Sequence, residues 1–215
     1  MDASSSQPRP VVQTQPLTPT QNRRSGSSEG YAPELVAKTF PETGYSIQGQ
    51  FLNFWQHNGG LAIFGYPLTA PGQTQVFERA RLEAHPENSA PYDVLLGHLG
   101  LEALKQQGRD WQTFPTVKKA AAGCLYFAET KHSLCEPFKS YWQNHGLALD
   151  ASAKVTLAES LALFGLPLSE PQQENVEGKT VTVQWFERAR LEWQPTKQAP
   201  KQILLGRLGS NFGKQ

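Results

Sequence analysis

The sequence predicts an α+β fold: two tandem homologous repeats, each with short helices and a small antiparallel hairpin or sheet, after a disordered N-terminal tether. Three observations predict it. Val76-Phe77-Glu78-Arg79-Ala80-Arg81-Leu82-Glu83 returns near the C-terminus as Trp185-Phe186-Glu187-Arg188-Ala189-Arg190-Leu191-Glu192. Shorter matches flank it in the same order: Phe40-Pro41-Glu42-Thr43 with Phe127-Ala128-Glu129-Thr130, Phe64-Gly65-Tyr66-Pro67-Leu68 with Phe164-Gly165-Leu166-Pro167-Leu168, and Leu95-Leu96-Gly97-His98-Leu99-Gly100 with Leu204-Leu205-Gly206-Arg207-Leu208-Gly209. The opening stretch is Ser, Pro, Gln, Thr and Gly with few apolar residues, too little buried surface to offset its ordering entropy. The expected organisation is a linker over 1–33, repeats over 34–108 and 124–215, and an inter-repeat linker over 109–123. A repeat of that size can bury a core of its own.

Each repeat opens with a short apolar segment, Tyr45–Ile47 and Leu125–Leu134. A helix follows. Phe51, Phe54 and Trp55 stand at i, i+3 and i+4, as do Phe138, Tyr141 and Trp142, so each trio shares one helical face. The expected spans are Gly49–His57, ended by Gly59-Gly60, and Glu136–Asn144, stopping at Gly146; a glycine there suits a left-handed cap. Thr156-Leu157-Ala158-Glu159 has the form of a capping box and starts a second helix that Gly165-Leu166-Pro167 stops; in the first repeat it shrinks to Leu61–Phe64. Gln172–Lys179 lengthens the second repeat as a surface loop. The repeated Phe-Glu-Arg segment reads as a tight hairpin with Arg79-Ala80 at or near its turn, pairing residues 75–78 with 81–84, because as one strand neither face is apolar. A last apolar segment follows, Tyr92–Leu96 and Gln202–Leu205, and Leu101–Gln107 forms a short connecting helix.

Twenty Lys and Arg face nineteen Asp and Glu. Such balance carries no electrostatic footprint for nucleic acid or an anionic membrane. No apolar run approaches the roughly 20 residues of a spanning helix, and no signal-peptide pattern occurs. The two cysteines, Cys124 and Cys135, would close a short loop worth roughly 2–3 kcal/mol as a disulfide. That is the preferred reading and implies an oxidising, extracytoplasmic setting; two buried thiols are the alternative, and a reactive thiol is less favoured. Ala37 or its neighbours and Gln48 occupy these places in the first repeat.

The order aromatic-Gly-x-Pro, Phe-Glu hairpin, apolar-Gly-x-aliphatic-Gly resembles the leucine-glycine-phenylalanine-proline repeats of bacterial cell-wall proteins. It rests on Leu163-Phe164-Gly165-Leu166-Pro167 with Trp185-Phe186-Glu187 and Leu191-Glu192-Trp193, and on Phe64-Gly65-Tyr66-Pro67 with Phe77-Glu78 and Leu82-Glu83. The tandem pattern also resembles repeat modules that accompany exported bacterial proteins. The resemblance implies a wall-associated, non-catalytic module.

Glu78, Arg79, Arg81 and Glu83 recur as Glu187, Arg188, Arg190 and Glu192. Arginine forks and carboxylates can hydrogen-bond sugar hydroxyls or peptide termini. The competing reading is an ion-pair cluster that holds the hairpin, which duplication favours. Glu42-Thr43 and Glu129-Thr130 could supply a general acid only with a second carboxylate at a fixed distance; a turn or cap is the simpler role. No histidine occupies one aligned position in both repeats, and no nucleophile elbow, P-loop, zincin or dinucleotide motif occurs. Among the aromatics, Trp55 and Trp142 read as core. Tyr66, Trp185 and Trp193 read as binding candidates; Trp185 and Trp193 replace Val76 and Ala84, so the fold does not demand a ring there. The expectation is an exported, non-catalytic module needing no cofactor or metal, with Trp185, Trp193, Tyr66, Arg79, Arg81, Glu83, Arg188, Arg190 and Glu192 as binding candidates for an envelope glycan or envelope protein. A protein-interaction scaffold is the alternative, and a glycan hydrolase or peptidase with its site between the repeats is less favoured.

Overall fold

A computed structural model describes residues 36–150, 152–198 and 202–213; the expected tether over 1–33 lies outside them. The structure mixes short helices with small antiparallel sheets. The first half runs β1 (Ala37–Phe40), β2 (Tyr45–Gln48), α1 (Gly49–His57), α2 (Gly60–Ile63), β3 (Thr74–Val76), β4 (Arg81–Ala84), β5 (Val94–Leu96) and α3 (Leu99–Gln106). The second runs β6 (Leu125–Phe127), β7 (His132–Leu134), α4 (Phe138–Gln143), α5 (Leu157–Phe164), β8 (Gln172–Val176), β9 (Lys179–Trp185), β10 (Arg190–Trp193), β11 (Ile203–Leu205) and a 3₁₀ turn over Leu208–Asn211.

The opening hairpins show how local sequence fixes each element. β1 pairs with β2 and β6 with β7, both antiparallel. Their turns close through Gly44 N–H to Phe40 O and Lys131 N–H to Phe127 O, each at 2.8 Å. Gly44 and Lys131 both take left-handed backbone, φ 74° and 58°, a conformation that glycine adopts freely and lysine only at a cost. Cys124 and Cys135 are joined by a disulfide. They flank the Leu125–Leu134 pair, as Ala37 pairs with Gln48 in the first hairpin.

α1 buries Phe51, Leu52, Phe54 and Trp55, and Gly59 beyond it has φ 94°, the left-handed stop expected there. Its counterpart ends differently. α4 closes at Asn144, and Gly146 is not left-handed; a Cβ on it would come within 2.8 Å of Val155 Cγ1 and of the Glu159 backbone. That glycine permits a close approach and does not cap. The capping box at α5 forms: Thr156 Oγ1 accepts from Glu159 N–H, and Glu159 Oε2 accepts from Thr156 N–H at 2.7 Å.

The Phe-Glu-Arg segments are hairpins, with a register that differs from the expected one. Val76 pairs with Arg81 and Trp185 with Arg190, while Phe77 N–H donates to Ala80 O and Phe186 N–H to Ala189 O. The tips are therefore Glu78-Arg79 and Glu187-Arg188, and the strands stop one residue before each Phe. Those Phe residues turn inward and bridge to Pro67 and Pro167. Gln172–Lys179 is not a surface loop. It holds β8 and the turn into β9, paired from Gln172↔Val183 to Val176↔Lys179, so the second sheet has the order β11-β10-β9-β8 against β3-β4-β5 in the first.

One core joins Phe40, Ile47, Phe51, Trp55, Phe64, Phe77 and Leu82 with Phe127, Leu134, Phe138, Trp142, Phe164, Phe186 and Leu191. A second gathers Leu99, Ala103 and Leu104 of α3 with Val181, Val183, Trp185 and Leu208; Trp111 and Phe114 of the 109–123 segment pack on it.

Candidate groove around Arg190

Alternation along β10 puts Arg190 and Glu192 on one face. Arg190 donates from Nη2 and Nε to Glu192 Oε1 at 2.6 and 3.2 Å. Its guanidinium lies 5.2 Å from the Trp185 ring centre, a cation–π contact. Gly206 faces the pair, and a Cβ there would lie 2.7 Å from Glu192 Oε1. A side chain at 206 would therefore oblige the ends of Glu192 and Arg190 to shift.

Around this pair lies a groove of about 660 Å³. β11 and Arg207 line one part, and the β8–β9 turn (Asn175, Val176, Glu177) lines another. Ala62 and Arg79 come from the first half, with Tyr141, Gln194, Ser210 and Asn211 adding to the polar lining. Arg207 is 58 % exposed and its Nη2 lies 3.6 Å from Glu78 Oε1. Arg79 lies 3.6 Å from Oε2 of the same carboxylate, so Glu78 anchors two arginines from opposite halves. Burial pushes the Tyr141 phenol up to about 12, with the Arg79 charge opposing; it is a neutral hydroxyl at physiological pH.

The matching place in the first half is filled. Arg81 donates from Nε to Glu83 Oε1, and from Nη1 and Nη2 to Glu102 Oε2 and Oε1, all at 2.7 Å. The Glu102 hydrogen bonds above all raise the Arg81 pKa further. This is the bidentate fork that guanidinium and carboxylate form best.

Of the expected binding residues, Arg79, Arg190 and Glu192 line the groove. Arg81 and Glu83 form the closed pair just described. Arg188 reaches across to donate to Leu96 O at 3.2 Å and to Leu161 O; desolvation lowers its pKa. Tyr66 is half-buried, and its hydroxyl donates to Glu42 Oε1 at 3.1 Å. Trp193 is half-buried against the main core. The expectation that Trp185 is a surface ring is corrected. It is 0 % exposed, because β8 supplies Glu174, which accepts from its Nε1 at 2.8 Å, and Arg109 covers its face 5.5 Å from the ring centre. Trp55 and Trp142 are core, as expected.

Sequence reasoning missed Tyr141, Gln194, Arg207, Asn211 and the β8–β9 turn as groove residues. Two carried a signal: Arg207 and Asn211 stand where the first half has His98 and Glu102. Among the described residues no three His, Cys, Asp or Glu side chains gather as a metal site would require, and no helix is long and apolar enough to cross a membrane. No protein-family model, curated protein or solved structure matches the chain.

Proposed function

We propose that the chain is an exported, non-catalytic binding module that takes a polar component of the bacterial cell envelope, a glycan in the first instance, in the groove around Arg190. The observation that carries this reading is the groove itself. Arginine donors, a neutral phenol and side-chain amides converge on an open space large enough for a few sugar units, the chemistry that recognises hydroxyl-rich ligands. The Cys124–Cys135 disulfide supports an oxidising compartment. The recurrent carboxylates speak against hydrolysis. Glu78, Glu83, Glu187 and Glu192 are held by arginines or backbone N–H groups, whereas a general acid–base pair needs carboxylates facing substrate. In this reading the halves are copies of one unit, supported by the shared hairpin registers, and the second copy has specialised.

The scaffold reading draws on a different observation: the duplicated hairpin tips contact the opposite half. Leu101 N–H donates to Glu187 O and Gly209 N–H to Glu78 O. Those surfaces are used within the chain and are not offered to a partner.

Retention of the protein on insoluble envelope glycan tests the proposal. The double variant Arg207→Ala, Gln194→Ala changes the groove rim without touching the core and should reduce retention by about tenfold or more, the loss of two or three hydrogen bonds, those from Arg207 charge-assisted. Equal retention of variant and parent would remove the groove as the binding site.

A further inference from the structure

We propose that the open edge of Arg190 is a receptor for a carboxylate, so that the groove selects acidic ligands over neutral ones. This rests on the groove being the binding site and names the group it takes.

The two halves present the same arginine in the same frame. Arg81 and Arg190 each follow a Phe-Glu-Arg-Ala turn and pair with the last residue of the incoming strand. Each accepts, at its carbonyl, the N–H of the facing glycine, Gly97 or Gly206, at 2.9 and 2.8 Å. Each holds a carboxylate two residues on through Nε and Nη2. What differs is the other edge of the fork. In Arg81, Nη1 and Nη2 donate to the two oxygens of Glu102. Counting from the shared glycines, Gly100 and Gly209, the residue at the place of Glu102 is Asn211. Asn211 lines the groove beside Arg190, and among the described residues Nη1 of Arg190 has no hydrogen-bond partner.

Two further differences favour an external partner at that edge. The Trp185 ring lies under the Arg190 guanidinium where Val76 stands in the first half, so a cation–π contact takes part of the role of the second carboxylate. The β8–β9 turn, which the first half lacks, adds the Asn175 amide to the lining, while the Glu177 charge on the same turn opposes an anion. A carboxylate meeting Nη1 and Nη2 there would reproduce the Glu102 geometry, and the amides of Asn211 and Gln194 would remain for neighbouring hydroxyl or amide groups.

Two sources supply such a carboxylate, an acidic sugar or a peptide terminus. The full chain is titrated by NMR, reading the Arg190 Nε–Hε signal, with D-glucuronate against its methyl ester and with N-acetylglycine against N-acetylglycinamide. One acid or both should bind about tenfold or more tightly than its neutral analogue; the acid that does so names the source. Asn211→Glu should fill the fork from within and weaken acid binding to the level of the neutral analogue, while Asn211→Gln, which adds no charge, should keep the preference for the acid over its neutral analogue. Unchanged acid binding by Asn211→Glu overturns the inference. Equal binding of acid and neutral analogue in both pairs also overturns it, yet leaves the glycan groove standing. Failure of every ligand to bind removes both.

Discussion

Single residues show how the halves differ in chemistry at matched sequence positions. His132 on β7 is fully buried, while Tyr45, its counterpart on β2, is 38 % exposed. Desolvation lowers the His132 pKa below 6.5, with Glu170 partly opposing. Glu170 is itself held by Ser133 N–H and Oγ at 2.8 and 2.7 Å. A depressed histidine pKa means that the unfolded chain takes up a proton the folded one refuses. Stability from this site is therefore intact above about pH 6.5 and falls as pH drops toward the folded value. Replacing His132 with Phe should flatten the loss of urea stability between pH 7 and 5. A variant as steep as the parent there would assign the acid sensitivity elsewhere. Nothing in the sequence marks this histidine, because burial is set by what packs over the hairpin. Arg190 differs in kind: it was legible as a candidate, but its twin in the sequence, Arg81, is closed by a residue 21 positions away, a pairing that only the fold reveals.

At the scale of elements, legibility follows the strength of the local pattern. α1 and the α5 cap were readable because aromatic spacing and capping chemistry are encoded within a turn or two. β8 was not. Its Gln-Gln-Glu-Asn-Val sequence alternates half-buried with exposed positions without apolar alternation, since it is an edge strand held mainly by its ladder to β9. The groove wall it makes was therefore invisible. The α5 cap also allows a graded test. Thr156→Ala removes one acceptor and should cost about 1 kcal/mol. Glu159→Ala should cost more, about 2 kcal/mol or above. Glu159 is 4 % exposed and accepts from both Thr156 N–H and Leu149 N–H, which the change would leave without partners. The Thr156 backbone bond lowers the Glu159 pKa, so this contribution is present above about pH 4.5 and fades below it. Urea unfolding at pH 7 ranks the two; equal costs would mean that water replaces the carboxylate.

Across the whole described fold, the two halves interlock reciprocally, as partners in a two-fold interface do. The backbone of Phe77 and Glu78 lies against Gly209, and that of Phe186 and Glu187 against Gly100. Arg79, Ala80 and Leu96 meet Arg188, Ala189 and Leu205, leaving a gap of only about 10 Å³. α3 extends from the first half into the second core beside Trp185. The repeated sequence is thus largely an instruction for joining halves, which is why so little of it remains for ligand. Gly100 tests this because two effects on it have opposite signs. It lies in the first turn of α3, where helix propensity alone makes Gly→Ala stabilising by up to about 1 kcal/mol. Yet a Cβ there would run into the carbonyl oxygen of Phe186, a backbone atom that cannot swing aside. Overpacking of this kind costs about 1–3 kcal/mol or more and should win, so Gly100→Ala should lower urea stability by about 2 kcal/mol. Gly72→Ala, whose Cβ would meet only Thr74 O at 3.5 Å, should stay within about 0.5 kcal/mol of the parent. A Gly100→Ala protein as stable as the parent, or more so, would mean that the halves do not bear on each other through this contact.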